Sequence, residues 1–298
     1  MEIINNIPTI ELFAPGHRAC AGCGPAIAVR MALKAAGANT IVIHATGCME
    51  VVSTPYPETS WRVPWIHVAF ENAAAVAAGI ETSLKKNNKD TNVLVLAGDG
   101  GTFDIGLQAL SGAAERGHDF CYICYDNNAY MNTGIQRSGA TPKYAATTTT
   151  PAGAKVHGNQ GYSKNMPIIM AAHRVYVATA NIAFPQDFIA KVQKGLAKKG
   201  PAYIQVYTPC PVGWAFPSNT TIEVAKTAFN TNINPLYEIE DGFLKFTKKP
   251  AQQKPVEEFL KMQARFKHMS QDEIKEVQEH VDLEFKKLEK MAESQVQF

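Results

Sequence analysis

Two groups in this chain have the type and spacing to hold a charged ligand. Gly98-Asp99-Gly100-Gly101 closes an apolar run, Val93 to Ala97, and Asp126-Asn127-Asn128 closes a second, Phe120 to Tyr125. Asp99 and Asn127 stand 28 positions apart (127 − 99). A carboxylate, an amide oxygen and a nearby backbone carbonyl make the hard oxygen set that Mg²⁺ prefers, completed by water and phosphate oxygens. The glycines let the backbone approach a diphosphate, and a helix start beyond them offers its N–H groups to that anion.

For these residues to meet, the segment between them must be a helix joining two parallel strands. Ile105, Leu107, Leu110 and Ala114 supply its apolar positions. A right-handed crossover sets both strand ends on one edge of the sheet, where open α/β folds bind ligands. The same alternation continues on both sides. A helix from Ala26 to Ala36 stops at Gly37; Thr40 to Ala45 is a strand; Glu71 to Lys86 is an alanine-rich helix. Val175 to Ala180, Pro185 to Lys198 and Ala202 to Tyr207 read as strand, helix, strand. This pattern predicts a doubly wound, mostly parallel sheet.

Six cysteines fall into two classes. Cys121 and Cys124 lie inside a strand, where positions i and i+3 face opposite ways, so they read as small core residues. Cys20 and Cys23 bracket a glycine loop entering a helix, where N–H groups stabilise thiolates. Cys48 follows the strand 40–45 and Cys210 the strand 202–207. If those strands run parallel to the central pair, four thiolates converge beside Asp99 and Asn127. Four cysteines suit tetrahedral Zn²⁺ or a [4Fe–4S] cluster. The cluster is favoured because the third and fourth cysteines are isolated and because a cluster can take electrons from a neighbouring cofactor.

The stretch GDG…NN, residues 98–128, resembles the thiamine diphosphate motif, and its continuation AYMNTG is similar to the pyruvate:ferredoxin oxidoreductase group. The contexts CAGCG, TGCMEV and TPCPVGW match, residue by residue, the cluster cysteines Cys20, Cys23, Cys48 and Cys210 of 2-oxoacid:ferredoxin oxidoreductase β subunits. The resemblance covers roughly residues 10–230. It implies a thiamine diphosphate-binding fold of the pyrophosphate type and oxidative decarboxylation of a 2-oxoacid. Coenzyme A then carries off the acyl group and ferredoxin takes the electrons. It also implies Asp99, Asn127 and the Ala129 carbonyl on Mg²⁺, with Gly98, Gly100 and Gly101 around the diphosphate. Asn132 would face the reacting carbon, and Glu71 would be either a cofactor contact or the first-turn acid of its helix.

Thiamine enzymes activate the aminopyrimidine ring with a glutamate, usually across an interface, and no second domain here houses one. Nor is there the CxxCxxCxxxCP spacing of a two-cluster ferredoxin. The resemblance therefore implies a β subunit working with alpha, gamma and delta-type partners and inactive alone. Residues 46–76 are similar to both pyruvate and 2-oxoisovalerate enzymes and unlike the 2-oxoglutarate type; pyruvate is favoured. A non-redox decarboxylase with structural zinc is the alternative.

The chain has 298 residues, 46% hydrophobic and 19% charged, with net charge +2. That is ordinary globular composition, with no case for nucleic acid. No apolar run is long enough for a membrane, and six cysteines without a leader argue for reduced thiols in the cytoplasm. Residues 1–230 are expected to form the cofactor and cluster domain. Residues 231–298 would form an extension with a hairpin near Phe243 and a helix opened by the capping box Ser270–Glu273, with Ile274, Val277, Val281, Phe285, Leu288 and Met291 on one side. Residues 136–165, rich in Thr, Gly and Ala, are expected to be an active-site cover or a mobile loop.

Overall fold

The computed structural model describes residues 3–5 and 7–294. A short pair, β1 (Ile3–Ile4) and β2 (Ile7–Pro8), precedes α1 (Gly24–Ala36) and β3 (Thr40–Ala45). Then come α2 (Cys48–Ser53), β4 (Trp65–Val68), α3 (Ala73–Lys86) and β5 (Asn92–Gly98). One π-helical turn, Gly100–Asp104, leads into α4 (Leu107–Glu115) and β6 (Cys121–Asp126). The next elements are α5 (Met166–Ala171), β7 (Tyr176–Asn181), α6 (Pro185–Ala197), β8 (Ala202–Tyr207), α7 (Pro211–Trp214) and α8 (Thr221–Asn230). The chain closes with β9 (Leu236–Glu240), β10 (Phe243–Lys248), α9 (Val256–Lys261) and α10 (Gln271–Ser294).

Eight strands form one sheet in the order β10-β9-β7-β8-β6-β5-β3-β4. From β7 to β4 every pairing is parallel, while β9 and β10 add an antiparallel edge. The parallel strands are apolar on both faces because helices cover both. On one face Val95, Tyr122 and Cys124 pack with α3, α4 and α5; on the other Leu94, Cys121 and Ile123 pack with α1 and α6. Cys121 and Cys124 thus belong to opposite cores, as the strand period requires.

The doubly wound sheet is the expected one, and β3 and β8 have their expected bounds. Three details differ. The alanine-rich helix starts at Ala73, leaving Glu71 in the turn before it. Ile105 is 56% exposed, because the π-helical turn displaces it from the buried face of α4. Helix α2 and edge strand β4, short elements with no counterpart in the sequence pattern, flank the irregular Pro-containing residues 54–64.

The extension continues the same sheet through the β9–β10 hairpin, turned at Asp241-Gly242. Ser270 N donates to Glu273 Oε2 (2.8 Å) and Glu273 N to Ser270 Oγ (3.3 Å), closing the expected capping box, worth about 1 kcal/mol.

Candidate active site

The order β3-β5-β6-β8 decides the site. These four neighbouring parallel strands deliver, one after another, Cys48, Asp99, Asn127 and Cys210 at their carboxyl ends. The register aligns Gly98 with Tyr125 and Asp126 with Tyr207, so no strand end is staggered away from the others.

Asp99 is 1% exposed. Its Oδ1 accepts from Asn127 N (3.2 Å), and its Oδ2 accepts from Ser138 Oγ. Burial, with Asp126 beside it, holds its carboxyl well above the usual carboxylate range. The inner end of the Asn127 amide lies 2.9 Å from Ala129 O and 3.0 Å from Asp99 Oδ1. With its nitrogen turned inward the amide donates to both. With its oxygen turned inward, three oxygens face one another, which is repulsive without a cation and is the donor set Mg²⁺ takes. A half-turn of one amide separates the two states.

Gly98, Gly100, Gly101, Asn127, Ala129 and Asn132 line one cleft together with Cys48. Thr46, Gly47, Phe70 and Tyr130 are among its other walls; Glu71 does not reach it and is exposed. The glycines are needed for a reason the motif alone does not disclose. A Cβ on Gly100 would meet the Tyr130 ring at 2.4 Å, and one on Gly106 would meet Gly101 O at 2.0 Å. Tyr130 Oη in turn donates to Asp104 Oδ2 (3.1 Å), fixing the turn that carries Asn132 to the cleft rim.

The cysteine loop is pinned from two sides. Arg18 N donates to Val52 O of α2 (2.8 Å), and Gly24 N donates to Pro209 O (3.3 Å). Gly22 has φ +70°, and a Cβ there would meet Ser218 O at 2.1 Å, so only glycine lets this loop sit against the segment after Cys210. Cys20, Cys23, Cys48 and Cys210 are accordingly neighbours. Burial pushes the Cys23 and Cys48 thiols up to about 12, and repulsion from Cys210 and Cys20 adds to it. Metal thiolate bonding reverses that penalty.

Among the described residues no three His, Cys, Asp or Glu side chains stand close enough to hold a single metal ion. Cys210 Sγ accepts from Gly213 N at 3.3 Å. Cys121 and Cys124 are buried in the strand, away from this group.

Three supports were not legible in the motif. Ser138, from the 136–165 segment, holds Asp99; Asn159 of that segment is 4% exposed, so part of the segment is anchored. Trp214, wholly buried, donates Nε1–H to Asn127 O (2.7 Å), tying the Cys210 loop to the Asn127 loop. The Arg265 guanidinium lies 3.9 Å from the Trp214 ring centre and its Nη2 donates to Asn128 Oδ1 (3.1 Å), so the C-terminal extension braces both. None of these contacts follows a local period.

Behind Cys48, His44 is fully buried. Trp65 Nε1–H donates to its Nδ1 (3.4 Å), and its Nε2 meets Tyr125 Oη (3.2 Å). Burial, with His67 nearby, lowers its pKa to about 3. The unfolded histidine binds its proton near 6.5, and the folded one does not until far lower. Stability should therefore fall as pH drops from 6.5 toward 3, by up to about 1.4 kcal/mol per pH unit from this group. Urea unfolding at pH 7 and pH 5 should show a smaller loss in His44→Gln than in the parent.

The family model described as thiamine pyrophosphate enzyme, C-terminal TPP binding domain, matches residues 45–206. Pyruvate synthase subunit PorB of Methanocaldococcus jannaschii is 57% identical over 289 residues, covering 94% of this chain and 97% of its own. Ketoisovalerate oxidoreductase subunit VorB of Pyrococcus furiosus is 46% identical over 311 residues, covering 98% and 99%. A 2-oxoglutarate:ferredoxin oxidoreductase from Magnetococcus marinus superposes with a TM-score of 0.59 at 22% identity, over 76% of this chain and 82% of that one, and shares the fold. The family model and these relatives together show that the chain belongs to the thiamine diphosphate enzymes, in the 2-oxoacid:ferredoxin oxidoreductase β-subunit family that includes PorB.

Proposed function

We propose that this chain is the β subunit of a pyruvate:ferredoxin oxidoreductase, or pyruvate synthase. Pyruvate and coenzyme A become acetyl-CoA and CO₂, and two electrons leave one at a time for ferredoxin; the reaction is reversible. The observation that carries this reading is the delivery of Cys48, Asp99, Asn127 and Cys210 by four adjacent strands to one sheet edge.

Thiamine diphosphate, when bound, supplies the carbanion chemistry that lets a 2-oxoacid lose CO₂. This chain's residues bind and orient. Asp99, the Asn127 amide oxygen and the Ala129 carbonyl would hold Mg²⁺, whose charge would neutralise the diphosphate. Gly98, Gly100 and Gly101 keep that end of the cleft open to it. Asn132, at the rim, hydrogen-bonds the substrate oxygen where charge develops. Cys20, Cys23, Cys48 and Cys210 would hold a [4Fe–4S] cluster, which would supply one-electron transfer. Trp61 stacks on Trp65 and meets His44 edge-on, an aromatic cluster beside the strand that leads to Cys48.

Alpha, gamma and delta-type partners would bring the activating glutamate and the electron exit to ferredoxin. Among the described residues no helix is long and apolar enough to cross a membrane. The proposed setting is the reducing cytoplasm.

The complete complex, purified without oxygen, should be brown and contain iron and acid-labile sulfide. Its kcat/KM should favour pyruvate over 2-oxoisovalerate by about tenfold or more, since the larger substrate must be excluded. The reverse preference assigns the branched-chain substrate, to which the VorB relative's name points. A colourless, zinc-containing protein that reduces no ferredoxin leaves only the non-redox decarboxylase.

A further inference from the structure

Behind the strand end that carries Asn127, on the side away from the cofactor cleft, the structure holds a half-open chamber of about 430 Å³. Protein interiors are packed with few voids larger than a water, and cavities of 300–1,000 Å³ are the size of small-molecule sites. Asp126, Asn128, Gln205, Thr179 and Asn232 form a polar floor. Val277, Val281, Phe285 and Leu288, one face of α10, line it opposite, with Tyr162 and His280 also in the lining.

Two further observations mark this as more than a packing fault. The first is the state of α10. It spans 24 residues and carries a continuous apolar stripe, yet only Leu288 is buried along it. A stripe of that length normally docks flush on its domain. Here it is held over the chamber by polar clamps at the chamber's rim. Lys143, Tyr144 and Tyr162 all reach Glu276, and His157 reaches Glu273 at 2.9 Å. The Tyr162 ring stacks on His280 with centroids 3.8 Å apart. The second is the floor's chemistry. Asn232 is 5% exposed and its Oδ1 has no hydrogen-bond partner, a costly condition for a buried acceptor. Asp126 accepts from Asn128 N (3.0 Å), Asn128 Nδ2 (2.8 Å) and Gln205 Nε2 (2.8 Å), leaving spare capacity on Oδ2. The floor thus presents acceptors in want of a donor, and the roof presents hydrocarbon that is only partly buried.

We propose that this chamber is a second ligand site, distinct from the cofactor cleft, for an uncharged small molecule with a compact apolar body and a hydrogen-bond-donating head such as a hydroxyl. The head lies at Asn232 and Asp126, and the body lies under Val277, Val281 and Phe285. The lysines at the rim do not make it an anion site. Lys143 is committed to Glu276, and Lys164 is bound to Asp104 (2.7 Å) and Phe103 O (2.5 Å). Because Asp126 and Asn128 flank Asn127, a bound molecule stiffens the strand end that carries the proposed Mg²⁺ ligand, which makes the chamber an effector site.

The test uses the assembled complex and two probes of equal shape, 2-naphthol and naphthalene. Binding is followed by fluorescence and equilibrium dialysis, with and without thiamine diphosphate and Mg²⁺. One saturable 2-naphthol site per chain is expected in both conditions, with naphthalene about tenfold weaker, the size of one net hydrogen bond. Val281→Trp, which puts an indole where the apolar body would lie, should abolish the site. Asn232→Leu should bring 2-naphthol down to the affinity of naphthalene. Chambers holding water only, with no saturable binding, overturn the proposal. So does binding displaced by thiamine diphosphate, or binding that survives both variants. Equal affinity for the two probes overturns the donor head. The cofactor reading stands or falls separately, because each probe is measured with the front cleft empty and filled.

Discussion

Asp99→Asn should move stability and activity in opposite directions. Asparagine keeps the shape, and its side-chain oxygen can still accept from Asn127 N or Ser138 Oγ. It removes a buried carboxylate that has another, Asp126, as its neighbour. The cofactor-free complex should melt about 2–4 °C higher, the shift that about 1 kcal/mol produces in a domain of this size. The gain has a pH signature. A carboxyl whose folded pKa is raised holds its proton in the native state after the unfolded chain has released it. Parent stability therefore declines as pH rises above the ordinary carboxylate range. The advantage of asparagine should vanish in acid and grow toward neutral pH.

The same substitution removes the one formal charge among the three oxygens proposed for Mg²⁺. Replacing groups that merely support a metal ligand costs 10–100-fold, so losing a ligand's charge should lower kcat/KM by more than about 100-fold. Isothermal titration of the stripped complex with thiamine diphosphate and Mg²⁺ separates this from a folding effect. Unchanged cofactor affinity in Asp99→Asn would remove Asp99 from the site. A lower melting temperature would mean that the carboxylate is stabilised by something other than its visible neighbours.

The second large effect concerns which cysteines carry iron. Cys210→Ser should purify with little iron and acid-labile sulfide, lose its brown colour, and fail to pass electrons to ferredoxin. Cys48→Ser should behave alike, since both come off strands flanking the central pair. Cys121→Ser is the contrast. Cys121 is fully buried and its environment raises its thiol pKa through desolvation alone. A hydroxyl there is left without a partner, costing about 1–3 kcal/mol, while iron content should remain that of the parent. Full iron in both Cys210→Ser and Cys48→Ser would sink the assignment, and loss of iron in Cys121→Ser would relocate it.

These two cases also mark the limits of the sequence. The opposite facing of Cys121 and Cys124 follows from the strand period alone, because a period of two admits no other arrangement. The adjacency of Asp99 and Asn127 follows from one crossover with fixed handedness. Both were legible because they depend on rules acting over a few residues or one βαβ unit. The strand order that makes β3 and β8 the flanks of β5 and β6 is not local. Cys48 and Cys210 lie more than 150 positions apart (210 − 48 = 162), and only the folded sheet brings them to one edge.

The supporting contacts lie further still from any motif. Ser138 under Asp99, Trp214 on the Asn127 carbonyl, and Arg265 between Trp214 and Asn128 join segments whose separation carries no period. Gly100 illustrates the division. Its place in the motif marks a turn that must lack a side chain, yet what fills that space is the Tyr130 ring, 30 positions on (130 − 100). The apolar stripe of α10 was equally plain as a pattern, but its incomplete burial over a chamber was not. Local spacing determined which residues carry the chemistry and which face each presents. The tertiary packing alone decided what holds them in register and where the molecule stays open, because close packing is settled between surfaces that never meet in the chain.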